Sequence, residues 1–94
     1  MKVVNYAAYV SAPERVAALR PAHREYVTRL HADGRLVAGG MFTDCSGALY
    51  IYETGSVAEA EQILADDPYQ IGGVFADCRL KPWEIIKANP TLIA

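Results

Sequence analysis

Arg35-Leu36-Val37-Ala38-Gly39-Gly40-Met41-Phe42, then Thr43-Asp44-Cys45-Ser46-Gly47, then Ala48-Leu49-Tyr50-Ile51-Tyr52-Glu53 is the stretch that decides the fold. Two apolar runs flank a short segment of turn residues, which is the pattern of an antiparallel hairpin formed by strands two and three. The Gly39-Gly40 pair marks either a bulge or a place where another backbone or a ligand comes close.

Upstream of the hairpin, Gly34 reads as the left-handed stop of a helix that begins at Pro21 and runs to about Asp33. Proline lacks an N–H and disfavours helical geometry in the residue before it, so a separate short helix, opened by the capping pattern Ser11-Ala12-Pro13-Glu14, is expected to end near Leu19-Arg20. Val27, Leu30, Tyr26 and His23 then share a stripe, with His23 one turn from the helix start. There, free N–H groups favour a neutral imidazole or an anion. Residues 2–10, rich in branched and aromatic side chains, form strand one. Downstream, Ser56-Val57-Ala58-Glu59 is a second capping box, and Val57, Ala60, Ile63 and Leu64 carry the helical period to about Asp66. Asp67-Pro68 ends that helix, Pro68 opens a short turn through Ile71, and Gly72-Gly73 releases a last strand from about Phe75 to Ile85.

The order strand, helix, strand, strand, helix, strand is the α+β, ferredoxin-like split βαβ arrangement, with four antiparallel strands and two main helices on one face. One sheet face is left bare. Tyr6, Phe42, Tyr50, Tyr52 and Trp83 are too many aromatics for a solvated surface, so a second copy is expected to pack there, sheet to sheet. Residues 1–88 form the domain, and the tail 89–94 leaves it and can reach the partner.

With 94 residues there is room for one core only. The 52% apolar and 21% charged shares are those of a chain that folds. Nine basic and eleven acidic residues give a net charge of −2. Arg15, Arg20, Arg24 and Arg29 lie near Glu14, Glu25 and Asp33, so no nucleic-acid face is expected. The apolar amino-terminal run is too short and interrupted to span a membrane, and its removal would delete a strand; the chain reads as an unprocessed cytoplasmic protein. Cys45 and Cys78 lack metal or redox spacing and are expected as free thiols. His31, eight positions from His23 and ~80° around the helix, does not pair with it as a metal site, so no metal is expected.

Arg20-Pro21-Ala22-His23, the run Leu30 to Gly40, Asp67-Pro68-Tyr69, Gly73-Val74-Phe75 and Lys81-Pro82-Trp83 together resemble the YciI-like (YCII-related) family over nearly the whole chain. The resemblance implies a dimeric α+β barrel, a superfamily that includes muconolactone isomerases and small-substrate monooxygenases. It also implies an active site made of a histidine and an aspartate, which fall on His23 and on Asp67, the aspartate directly before Pro68. A dehydrochlorinase of chlorinated hydroxyquinols is among the family's relatives. The segment between strands two and three is shorter than in many of them, a difference that falls on the pocket lining.

An aspartate that accepts the histidine N–H fixes the tautomer and stabilises the imidazolium, leaving the other nitrogen to take a proton. Such general base catalysis is worth roughly 10²–10⁴ in rate, enough for elimination or isomerisation of a small substrate, such as an aromatic one, without a cofactor. The alternative is a histidine bonded to a capping carboxylate in a ligand-binding or regulatory module. Arg20 either binds a substrate carboxylate or is solvated. Ser46 supplies a pocket hydroxyl or belongs to a turn. Tyr69 lines the pocket or plugs the core. The side chains of His23 and Asp67 are expected within hydrogen-bond reach, directly or through one water, beside a cavity.

Overall fold

In the computed structural model, which describes residues 1–93, the deciding hairpin is formed by β2 (Leu36–Met41) and β3 (Gly47–Glu53). Its antiparallel pairs run from Leu36 and Tyr52 to Met41 and Ala48, and the register shifts between Leu36 and Ala38. The irregularity thus sits at Val37, two residues ahead of the glycine pair. β1 (Lys2–Tyr9) pairs antiparallel with β3 on one side and with β4 (Phe75–Trp83) on the other, so the sheet order is β2-β3-β1-β4. β4 stops at Trp83, two residues short of the expected end.

α1 spans Pro13–Ala32 without a break, which corrects the expectation of two helices divided at Pro21. Ser11 does not cap it either: the N-cap is Ala12, with no side-chain bond. A proline inside a helix removes one backbone bond and costs about 3 kcal/mol. Here Val16, His23 and Leu30 are buried at intervals of seven residues, with Leu19, Tyr26 and Val27 packed beside them, so one apolar seam runs past Pro21 on both sides. Docking both halves on the same sheet offsets the lost bond, and the Pro21 ring faces solvent. The helix closes as expected: Gly34 is left-handed at φ 73°, Arg35 N–H donates to Leu30 O, and Gly34 N–H donates to His31 O.

α2 (Val57–Ala65) starts with the expected capping pattern. Ser56 Oγ accepts from Glu59 N–H at 3.1 Å, while the Glu59 carboxylate accepts from the N–H of Gly55 at 2.8 Å. α3 (Pro68–Ile71) is the short turn opened by Pro68. The core between helices and sheet holds Val3, Ala7, Tyr52, Ile63, Tyr69 and Val74, and each fully buried large side chain contributes roughly 1.5–3 kcal/mol.

One assignment changes. Tyr50 and Tyr52 lie inside this core, not on the bare sheet face. They pair across the sheet with Asn5 and Val3, whose side chains face the helices. Burial is tolerated because both hydroxyls find partners: Tyr52 accepts from Asn5 Nδ2 at 3.0 Å, and Tyr50 bonds to His23. The opposite parity of β1 and β3 leaves Val4, Tyr6, Leu49 and Ile51 on the bare face, where Phe42 packs 5.4 Å from Tyr6, between ring centroids. Tyr6 and Trp83 are about half exposed. Beyond β4 the chain is mostly exposed up to a 3₁₀ turn at Pro90–Leu92, and Ile93 lines a hollow with Val27, His31 and Leu36. Ala94, the last residue of the expected tail, lies outside the described residues. No helix among these residues is long and apolar enough to cross a membrane.

Candidate functional site

Asp67 sits where α2 hands over to α3. Pro68 restricts the residue before it to extended backbone, and Asp67 accordingly adopts φ −69° and ψ 127° as the N-cap of α3. Its Oδ1 accepts the N–H of Tyr69 at 2.8 Å. The same oxygen lies 2.7 Å from His23 Nδ1, with both side chains buried. His23 reaches it from the middle of α1, not from the first turn of a helix as expected, so the free N–H groups of a helix start play no part in its environment.

A carboxylate only accepts, so Nδ1 donates to Asp67. In the neutral imidazole Nε2 is then the acceptor, and the Tyr50 hydroxyl, 2.9 Å away, donates to it. Both ring nitrogens are thus engaged. The ring cannot tilt freely either, because Tyr69 stacks on it with centroids 3.8 Å apart and planes 6° from parallel. Tyr9 and Phe75 meet Tyr69 edge-on at 5.6 and 5.7 Å and close the aromatic shell.

Tyr50 is the functional candidate that sequence reasoning placed on the wrong face. Burial pushes its hydroxyl far above the usual tyrosine range, so it stays protonated and able to donate. Its ring lies against Gly39: a Cβ there would come 2.8 Å from Tyr50 Cδ1, so the first glycine of the pair makes room for this tyrosine. The signals available in sequence were the helix-to-sheet parity of β3 and the glycine opposite. Burial also raises the Tyr9 hydroxyl, which interacts with that of Tyr50.

These groups border an open hollow of about 340 Å³ between α1 and β2, lined among others by Arg20, His23, Arg24, Tyr50 and Tyr69. Arg20 is half-buried at its edge. Tyr69 is both core plug and pocket wall. Ser46 is exposed in the hairpin turn, where its N–H is held by Asp44 Oδ1 at 2.9 Å, and it does not line this hollow. Cys45 is exposed and Cys78 half-buried, both free; burial pushes the Cys78 thiol up to about 11, away from thiolate chemistry. Among the described residues no group of three or more His, Cys, Asp or Glu side chains is placed to share a metal ion.

A YCII-related domain matches residues 1–84. The chain belongs to the YCII-related family. Within it, the chain is 35% identical over 65 residues to the uncharacterized protein YjpA of Bacillus subtilis (strain 168), a stretch that covers 69% of this chain and 75% of YjpA. Its fold is similar to that of the 5-chloro-2-hydroxyhydroquinone dehydrochlorinase TftG from Burkholderia phenoliruptrix AC1100, solved in complex with 2,5-dihydroxybenzoquinone. The TM-score is 0.79 at 23% identity, over 89% of this chain and 94% of TftG. The likeness to TftG shows the α+β fold expected of the family.

Proposed function

We propose that this YCII-related protein is a cofactor-free lyase or isomerase that moves a proton on a small, ring-shaped substrate held beside His23. The observation that carries the reading is the buried chain of hydrogen bonds from Asp67 through His23 to Tyr50, which ends at the hollow. Its structural kinship with a dehydrochlorinase supports elimination of a halide as the first chemistry to try.

In this reading the proton reaches His23 through Tyr50. As the Tyr50 oxygen accepts a proton from the substrate, the tyrosine gives its own to Nε2, and no free tyrosinate has to form. Asp67 stabilises the resulting imidazolium across the 2.7 Å contact. In an elimination the electron pair left on the substrate expels the leaving group as its anion, and the relay passes the proton on to water. In an isomerisation the pair shifts a double bond, and the reversed relay returns the proton to the substrate at another atom. The chain works as a homodimer, with the bare face of one sheet against that of its partner and the carboxyl-terminal tail reaching across. It works in the cytoplasm.

Incubation with 5-chloro-2-hydroxyhydroquinone, with chloride release as the readout, tests the reading together with a thermal-shift screen of small ring compounds in which every stabilising hit is checked for chemical change. His23→Ala is expected to abolish conversion and Tyr50→Phe to slow it by roughly 10²-fold or more. Full activity in His23→Ala would remove His23 from the chemistry. A hit that stabilises the protein and is recovered unchanged would favour the second reading, a ligand-binding or regulatory module. That reading draws on the engagement of both imidazole nitrogens by protein groups.

A further inference from the structure

The hollow carries more positive charge than the chain as a whole, whose net charge is −2. Arg20 and Arg24 lie four residues apart on α1 and both line it, one on each side of the turn that bears His23. Their sequence neighbours do not neutralise them. Glu25, one residue past Arg24, is ~100° away around the helix, and the positions three and four residues from either arginine carry no acid. Lys2 and the amino terminus pair with Glu53, Arg35 with Glu59 and Arg79 with Asp77, whereas Arg15, Arg29, Lys81 and Lys87 have no ion pair among the described residues; what sets Arg20 and Arg24 apart is that both line the hollow. Among the described residues neither Arg20 nor Arg24 has an ion pair or a side-chain hydrogen bond. No acidic side chain lines the hollow, and the one carboxylate behind it, Asp67, is turned to His23 and Tyr69 N–H.

Two unmatched guanidinium groups beside an aromatic wall favour one kind of ligand. A guanidinium presents paired N–H donors that suit a planar oxyanion, while Val27 and Met41 offer apolar surface to a ring and the buried Tyr50 and Tyr69 close the hollow behind them. The volume, about 340 Å³, stands near the lower end for small-molecule sites and suits a single substituted ring.

Taking the hollow as the ligand site, as the functional reading does, we propose that it selects a small organic anion, a ring bearing a carboxylate or an ionised enol or phenol oxygen, which Arg20 and Arg24 hold while the ring lies against the apolar lining of Val27 and Met41. The arginines fix the charged end, and this turns the ring's reacting atom toward the Tyr50 hydroxyl.

Benzoate and its neutral amide, benzamide, separate charge from shape. In NMR titrations of the full chain, benzoate is expected to shift the amide signals of residues 39–41 and the side-chain Nε–H signals of Arg20 and Arg24, and to bind at least about tenfold more tightly than benzamide. Arg20→Gln and Arg24→Gln are each expected to weaken benzoate about tenfold, whereas Arg29→Gln, outside the hollow, leaves it unchanged. Equal binding of benzoate and benzamide, wild-type affinity in both variants, or no shift with benzoate up to about 10 mM would overturn the proposal. Inorganic phosphate binding as tightly as benzoate would overturn the ring requirement. His23→Gln distinguishes the two readings: it keeps benzoate binding if the anion site is right, and its effect on conversion reports on proton transfer alone.

Discussion

Asp67 does two jobs with one oxygen, because it caps α3 by holding Tyr69 N–H and bonds to His23. Removing it orphans two buried donors. Asp67→Ala is therefore expected to lower stability by about 3 kcal/mol or more in urea denaturation, since each unsatisfied buried group costs about 1–3 kcal/mol. Tyr50→Phe strips a partner from Nε2 and from the Tyr9 hydroxyl and is expected to cost about 1–2 kcal/mol. The pattern Asp-Pro-Tyr made the cap readable from sequence, since proline forces the residue before it to be extended. Nothing local to Tyr50 says that its hydroxyl meets an imidazole 27 positions away.

At the scale of elements, α1 and the β2–β3 hairpin each hold a test. Pro21 is solvent-facing and stands where an alanine would restore a backbone bond, so Pro21→Ala is expected to raise stability by about 1–3 kcal/mol, read as a higher melting temperature. Gly39→Ala acts in the other direction. Its Cβ would press on the Tyr50 ring from 2.8 Å and push the hydroxyl away from His23, at a cost of about 1–3 kcal/mol. The same variant should show an altered ¹⁵N signal at Nε2 of His23. Local rules placed both ends of α2 and the glycine stop of α1, yet they divided α1 at Pro21, because the seam of Val16, His23 and Leu30 that holds it together is a property of its packing.

For the whole molecule, the bare sheet face and the buried phenols set the expectations. If the homodimer we propose forms through that face, the wild type sediments as a dimer at micromolar concentration. Leu49→Arg, on the outward side of β3, then shifts it to a folded monomer, and a monomeric wild type would rule the arrangement out. Alkaline stability follows from the tyrosines. Burial raises Tyr26 from 10.0 to about 12 and raises Tyr50 and Tyr52 further. A hydroxyl whose value is raised by folding stabilises the native state fully below the unfolded value, and that contribution is lost as pH climbs through the folded one. The melting temperature is accordingly expected to fall from pH 10 upward, and more gently in Tyr26→Phe, whose hydroxyl otherwise donates to Ile63 O at 2.7 Å.

What this sequence determined by itself is the order of elements, the hairpin, the caps at Ser56 and Gly34, and the candidacy of His23 and Asp67. The elements, hairpin and caps rest on periodicity or on spacing within a few residues, where short-range sterics and hydrogen bonding decide, while the candidacy of His23 and Asp67 rests on the resemblance to the YCII-related family. Only the tertiary structure decided that α1 runs through Pro21, that Tyr50 and Tyr52 turn inward, and that Arg20 and Arg24 stand without acids around a hollow. Those outcomes depend on strand register, on packing energy that outweighs a lost helical bond, and on which side chains meet across the fold. Separation along the chain carries none of that information.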